Sequence, residues 1–145
     1  MKKKTMRVLF ICSGNTCRSP MAQAYLQTLK PEWEVASAGT REDCGGKPAS
    51  DHAKEVIRQN GGSLDGHVSR RFTPEMAQNY DIIFVMEKKK LTDVQKTAPE
   101  AADKIKLLGG DKDIPNPFRG NLKKYQNVFA CIKAAIDGYV NSVCR

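Results

Sequence analysis

The stretch VLFICSGNTCRSPMA, Val8 to Ala22, sets an apolar run, two cysteines, a glycine and an arginine directly before a helix-forming run. Val8 to Ile11 has the length and composition of a strand buried on both faces. Pro20 suits the start of a helix, where its missing N–H costs nothing. The turn between them leaves the carboxyl end of a strand and enters a helix, which is where open parallel sheets present ligands. Backbone N–H groups turned inward there, with the helix dipole behind them, form a nest for phosphate or another tetrahedral anion. Ser13, Gly14, Asn15, Thr16, Cys17 and Arg18 would supply that nest. Gly14 lets the turn close, and Arg18 adds a planar fork matched to two anion oxygens. Cys12 would sit beneath the central atom, in surroundings that stabilise a thiolate, and Ser19 could donate a hydrogen bond to its sulfur. Attack on phosphorus would give a phosphocysteine, which water hydrolyses.

Working outward, apolar runs suited to buried parallel strands occur at Arg7–Ile11, Trp33–Ala36, Ile82–Met86 and Ile105–Leu108. Helical patterns follow each of them: Pro20–Leu29, Asp51–Gln59 before a Gly61-Gly62 stop, Leu91 onward, and Leu122–Val143. Strand and helix alternation predicts an α/β fold with a single domain, residues 1–145. Its four-stranded parallel sheet would carry helices on both faces, right-handed crossovers and a phosphate loop after the first strand. In the last helix, Val128, Cys131, Ile132, Ala135, Ile136 and Tyr139 follow three-and-four spacing and are expected in the core, with Cys131 as a small apolar filler.

A chain of 145 residues buries roughly two-thirds of its unfolded surface, so stability requires neither disulfide nor metal. The net charge of +8, with clusters at Lys88–Lys90, Arg70–Arg71 and Lys123–Lys124, suits an anionic partner. No aromatic-interleaved basic stripe or helix-turn-helix signal accompanies it, so nucleic acid is not favoured. No apolar run approaches the ~20 residues of a membrane span. MKKKTMRVLFIC imitates a signal peptide, but Val8 to Ile11 falls short of the roughly 7 apolar residues required and reads as a strand. Five cysteines, with no paired Cys-x-x-Cys array, fit neither a disulfide framework nor a zinc ribbon. The expectation is a protein of the reducing cytoplasm, with no metal and no cofactor.

CSGNTCRSPMA closely resembles the phosphate loop of the low-molecular-weight protein tyrosine phosphatases. The resemblance continues in order through SAGT (Ser37–Thr40), GHVS (Gly66–Ser69), DIIFVME (Asp81–Glu87) and IPNPFRG (Ile114–Gly120), covering essentially the whole chain. It implies that Cys12 is the nucleophile, that Arg18 binds phosphate, and that a phosphorylated protein is the partner. It further implies that Cys17 forms a reversible disulfide with Cys12, trapping a sulfenic acid before irreversible oxidation. Asn15, Ser37 and His67 match the family's hydrogen-bond network around a strained asparagine, which makes His67 structural and no catalytic base. His52 is expected on a solvated helix face.

The chain also departs from the pattern. Where the family places the aspartate that protonates the leaving oxygen and later activates water, this chain has Asn116. Asp113 and Asp111 are the nearest carboxylates in sequence, on a segment stiffened by Pro115 and Pro117. The loop TREDCGGKPAS lacks the aromatic or large apolar residue that often walls the phosphotyrosine slot. Thr16 stands where tyrosine-specific members usually have an apolar residue and where the related bacterial protein-arginine phosphatases have threonine; Phe118, a candidate substrate wall, also matches those enzymes. The expected function is a protein phosphatase acting on phosphotyrosine through a phosphocysteine on Cys12, with phosphoarginine admitted by Thr16 and activity lowered by Asn116. One alternative is arsenate reductase, which needs further cysteines. Val85 to Glu87 provides none, leaving Cys44 and Cys144. The other is a phosphate or phosphoprotein binding module that has lost turnover.

Overall fold

Four strands lie parallel in the order β2-β1-β3-β4, so the strand that carries the phosphate loop is flanked on both sides. The computed structural model describes residues 5–144; the basic run at Met1 to Lys4 lies outside them. The elements are β1 (Arg7–Cys12), α1 (Arg18–Leu29), β2 (Glu34–Gly39), α2 (Asp51–Gln59), β3 (Ile82–Val85), α3 (Lys88–Thr97), β4 (Ile105–Leu107) and α4 (Leu122–Val143). Two 3-10 segments, Pro74–Asn79 and Pro99–Lys104, complete the frame.

Alternation along β1 divides the core. Val8, Phe10 and Cys12 join the cluster under α1, α2 and α4, whereas Leu9 and Ile11 face the one formed with Val94 of α3, Ala77 and Ala101. Phe10 is in register with Phe84 of β3, and their rings stack at 5.7 Å. Full burial of such side chains contributes about 1.5–3 kcal/mol each. Ser50 caps α2 by accepting the Ala53 N–H at 3.3 Å, and Asn121 caps α4 by accepting the Lys124 N–H at 2.9 Å.

Several boundaries differ from the sequence expectation. β2 runs on through Ser37, Ala38 and Gly39, because pairing with Phe10, Ile11 and Cys12 holds these small residues extended. Helix α1 starts at Arg18, two residues before Pro20, which therefore occupies a first-turn position needing no N–H. Helix α3 starts at Lys88, inside the lysine run. Cys131 is not a core filler: it is exposed. The buried stripe of α4 comprises Tyr125, Val128, Phe129, Ile132, Ile136 and Val140, and Cys131 lies roughly 120° around the helix from its centre. Ala135 and Tyr139 lie at the stripe's edge, partly buried. No described helix is long and apolar enough to cross a membrane.

Candidate active site

Cys12 closes β1 opposite Gly39, and its side chain is buried with Sγ 2.9 Å from Ser19 Oγ. The loop beyond it is held from outside through all of its carbonyls. Cys12 O accepts from the Thr40 N–H at 3.0 Å, Ser13 O from Arg41 N–H at 3.0 Å, and Thr16 O from Ser50 N–H at 2.9 Å. Gly14 O accepts from the Cys44 thiol at 3.3 Å, Asn15 O from His67 Nε2 at 2.8 Å, and Cys17 O from Met21 N–H at 3.2 Å. In a trans peptide the N–H points opposite to the carbonyl of the same unit. Carbonyls drawn outward therefore turn the N–H groups of Ser13 to Arg18 toward the hollow above Cys12, the arrangement an anion nest requires.

Asn15 sets the curvature. It is fully buried with φ at +58°, a left-handed conformation that asparagine tolerates better than most residues. Its Nδ2 donates to Ser19 Oγ at 2.8 Å and to Ser37 Oγ at 2.9 Å, and its Oδ1 accepts the Arg70 N–H at 3.0 Å. Ser37 in turn donates to Gln23 Oε1 at 2.5 Å. Ser19, Ser37 and His67 thus lie behind the loop as a supporting network. Gly39 permits the approach of the two chains: a Cβ there would stand 2.6 Å from Cys44 Sγ and 2.7 Å from Ser13 O. Burial, and then the proximity of Cys12, push the Cys44 thiol up from its ordinary range.

The Arg18 side chain is almost wholly buried, at 2% exposure. Its Nη1 donates both to Ile114 O at 2.8 Å and to Glu87 Oε2 at 2.8 Å, anchoring one end of the guanidinium fork. Glu87, whose carboxylate orients Arg18, was missed by sequence reading, although the signal was present: a carboxylate immediately beyond a buried strand, at the carboxyl end of the sheet beside the loop. Cys17 is buried as a free thiol, with Sγ 3.2 Å from Tyr125 Oη and 3.6 Å from Ser50 Oγ. Burial, and then that contact with Cys17, push the Tyr125 phenol up to about 12. His52 is exposed on α2, with its ring tilted against Tyr125 at 5.2 Å.

A cleft of about 80 Å³ opens over the loop, lined by Cys12, Ser13, Gly14, Thr16, Cys17, Arg18, Arg41, Asn116 and Phe118. A larger hollow of about 370 Å³ lies between Pro74–Gln78 and Thr97–Lys104, away from the loop and with no cysteine in its lining. Phe118 stands 57% exposed at the mouth, with the Arg119 guanidinium 5.4 Å above its ring. Asn116 Oδ1 accepts the Phe118 N–H at 3.1 Å. Neither Asp111 nor Asp113 lines the cleft. Where an aromatic wall was missing from the sequence, the structure brings Arg41, whose Nε and Nη2 bind Asp43 at 3.0 and 2.7 Å. That pairing holds the Asp43 carboxyl below its ordinary range. Among the described residues, no three His, Cys, Asp or Glu side chains gather into a metal-holding group.

Residues 7–145 match the model of the low molecular weight phosphotyrosine protein phosphatases. The chain belongs to that family. Among its relatives, the low molecular weight protein-tyrosine-phosphatase Etp of Escherichia coli is 35% identical over 141 residues, covering 95% of each chain. The solved structure of Vibrio vulnificus Wzb in complex with benzylphosphonate superposes with a TM-score of 0.90 at 35% identity, covering 94% of this chain and 98% of that one. A YwlE arginine phosphatase mutant with a phosphorylated active-site serine gives a TM-score of 0.90 at 25% identity, covering 97% of both chains. Within the phosphatase family, a nest closed over a cysteine and flanked by a buried arginine has a direct chemical meaning.

Proposed function

We propose that this chain is a protein phosphatase in which residues 1–145 form one catalytic domain and Cys12 takes the phosphoryl group from a phosphorylated protein. The observation that carries the reading is the set of outward-held carbonyls from Cys12 to Cys17, which aims six N–H groups at the space directly above Sγ. An oxyanion-rich phosphoryl group in that space is bound by the N–H groups of Ser13, Gly14, Asn15, Thr16, Cys17 and Arg18 and by the free end of the Arg18 fork. The Cys12 sulfur attacks phosphorus in line, and Ser19 stabilises the thiolate through its 2.9 Å contact. Water then cleaves the phosphocysteine. The N–H groups are already aimed before substrate arrives, so stabilisation of the trigonal phosphoryl group needs little reorganisation.

Phosphotyrosine is the substrate that the family relation supports, with Phe118 as the wall beside its ring. A second reading, phosphoarginine, is favoured by Thr16, whose hydroxyl lines the cleft and offers a polar partner to a guanidinium. Arsenate reduction is less well supported: Cys144 caps the far end of α4, roughly 30 Å of helix from the end that touches the loop. A module that binds without turnover has in its favour only the missing carboxylate. Five free thiols suit a reducing cytoplasm.

Hydrolysis of p-nitrophenyl phosphate and of tyrosine-phosphorylated and arginine-phosphorylated peptides tests the reading. Cys12→Ser should abolish turnover while still binding vanadate, since the nest and Arg18 remain. Retention of more than a tenth of the activity would remove Cys12 as nucleophile.

A further inference from the structure

Among the described residues, the lining of the cleft's mouth contains hydrogen-bond donors and no carboxylic acid. Asn116 Oδ1 accepts the Phe118 N–H, which leaves the carboxamide's Nδ2 as a donor, and a carboxamide gives up no proton at neutral pH. Arg41 has Nε and Nη2 bound to Asp43, and its remaining Nη1 stands 3.9 Å from where a Gly14 Cβ would be, over the loop. Of the nearby carboxylates, Glu87 is committed to Arg18, Asp113 to the Lys88 N–H and Asp43 to Arg41, and Asp111 does not line the cleft. A leaving oxygen in this cleft thus meets two N–H donors and no group that gives up a proton at neutral pH, and it must depart as an anion.

The cost of that departure depends on the leaving group. A tyrosine phenol ionises near pH ~10 and a carboxylic acid near ~4, so a carboxylate leaves without help where a phenolate does not. We infer that this cleft acts best on acyl phosphates, the mixed anhydrides of phosphoric and carboxylic acids, an inference that rests on the phosphocysteine reading above. The Cys12 electron pair forms the S–P bond as the bond from phosphorus to the acyl oxygen breaks. The carboxylate keeps that electron pair, takes no proton, and is held at the mouth by Arg41 Nη1 and Asn116 Nδ2. Water attacks phosphorus next, the S–P bond breaks to return the thiolate, and the proton of water passes to solvent with inorganic phosphate.

Benzoyl phosphate and phenyl phosphate, which share a ring, form the matched test pair, with spontaneous hydrolysis subtracted. Wild-type kcat/KM, which reports the step that expels the leaving group, should be at least ~10³-fold higher on benzoyl phosphate, and Asn116→Asp should raise kcat/KM on phenyl phosphate by about 10²- to 10⁴-fold. The variant should gain far less on benzoyl phosphate, so the ratio of the two falls at least tenfold. Arg41→Gln should lower kcat/KM on benzoyl phosphate by about tenfold through loss of one charged donor. Acetyl phosphate and a phosphoaspartyl protein separate the sources: faster turnover of the first assigns a small metabolite, of the second a protein side chain. Wild-type kcat/KM values on phenyl and benzoyl phosphate within tenfold of each other would overturn the inference, because the cleft would then contain a proton donor. A phosphoryl group on Cys12, seen by mass spectrometry after acid quench with p-nitrophenyl phosphate, keeps the phosphatase reading intact in that event. Its absence, with Cys12→Ser as active as wild type, sinks both.

Discussion

The carboxylate of Asp113 accepts the backbone N–H of Lys88 at 2.8 Å. It therefore satisfies a donor that the first turn of α3 would otherwise leave unpaired, with its negative charge at the positive end of the helix dipole. Asp113→Ala should reduce unfolding free energy by about 0.5–2 kcal/mol, as loss of a helix cap does, and leave phosphatase activity near wild type. Denaturant titration alongside kcat on p-nitrophenyl phosphate checks this. A folded variant without turnover would make Asp113 the proton donor.

Glu87 and the Ile114 carbonyl share one nitrogen of Arg18. Removing the carboxylate leaves a buried cation with one neutral partner, free to tilt away from the anion. Glu87→Ala should lower kcat/KM on p-nitrophenyl phosphate by about 10- to 100-fold, whereas Glu87→Gln, which still accepts a hydrogen bond, should lose less. Equal losses in the two variants would show that charge alone matters.

Cys17 lies five residues beyond Cys12, with its thiol against Tyr125 and Ser50. In the proposed latch, peroxide would convert Cys12 to a sulfenic acid, and attack by the Cys17 thiol would form the disulfide and release water. Recovery of activity after dithiothreitol should be nearly complete in the wild type and several-fold poorer in Cys17→Ala. Equal recovery would remove Cys17 from any protective role.

On the far side of the domain, the Tyr25 hydroxyl donates to Asp137, which also pairs with Lys133 at 3.1 Å. The Tyr25 hydrogen bond, and then Lys133, hold the Asp137 carboxyl below its ordinary range. A carboxyl lowered in the folded state contributes stability that is present above its unfolded value, near pH ~4, and lost as the pH falls through the folded value. Tyr25→Phe should therefore melt below the wild type at neutral pH, with the gap narrowing as the pH is taken below ~4. A gap of constant size would assign the loss to packing alone.

Where sequence periodicity is strong, the chain announces its fold. Val8 to Ile11 and Ile82 to Val85 are continuous apolar runs that only a sheet covered on both faces buries, and the structure has both. The Cys12 to Arg18 spacing carries its own chemistry, so the loop was legible as well. Pairing across the sheet was not. Ser37 to Gly39 are small residues that read as a turn until β1 holds them extended. Nor does sequence indicate which charge meets which: Glu87 reaches Arg18 across 69 positions, and Arg41 enters the cleft only because Ser13 O binds its N–H and Asp43 its side chain. The same long-range packing leaves Cys131 in solvent although its spacing from Val128 suits a core.

The carbonyl contacts that shape the loop come from Met21, Thr40, Arg41, Cys44, Ser50 and His67, and Arg70 adds the clasp on Asn15. The octet from Cys12 to Ser19 is therefore not portable. Transplanted to another junction of strand and helix, it would keep its cysteine and its arginine, but no surrounding backbone would pull its carbonyls away. An asparagine with positive φ would relax, and the N–H groups would scatter toward whatever acceptors lay nearest. Selection of a tetrahedral anion by such a loop would thus reside in contacts spread from Met21 to Arg70 as much as in the residues from Cys12 to Arg18.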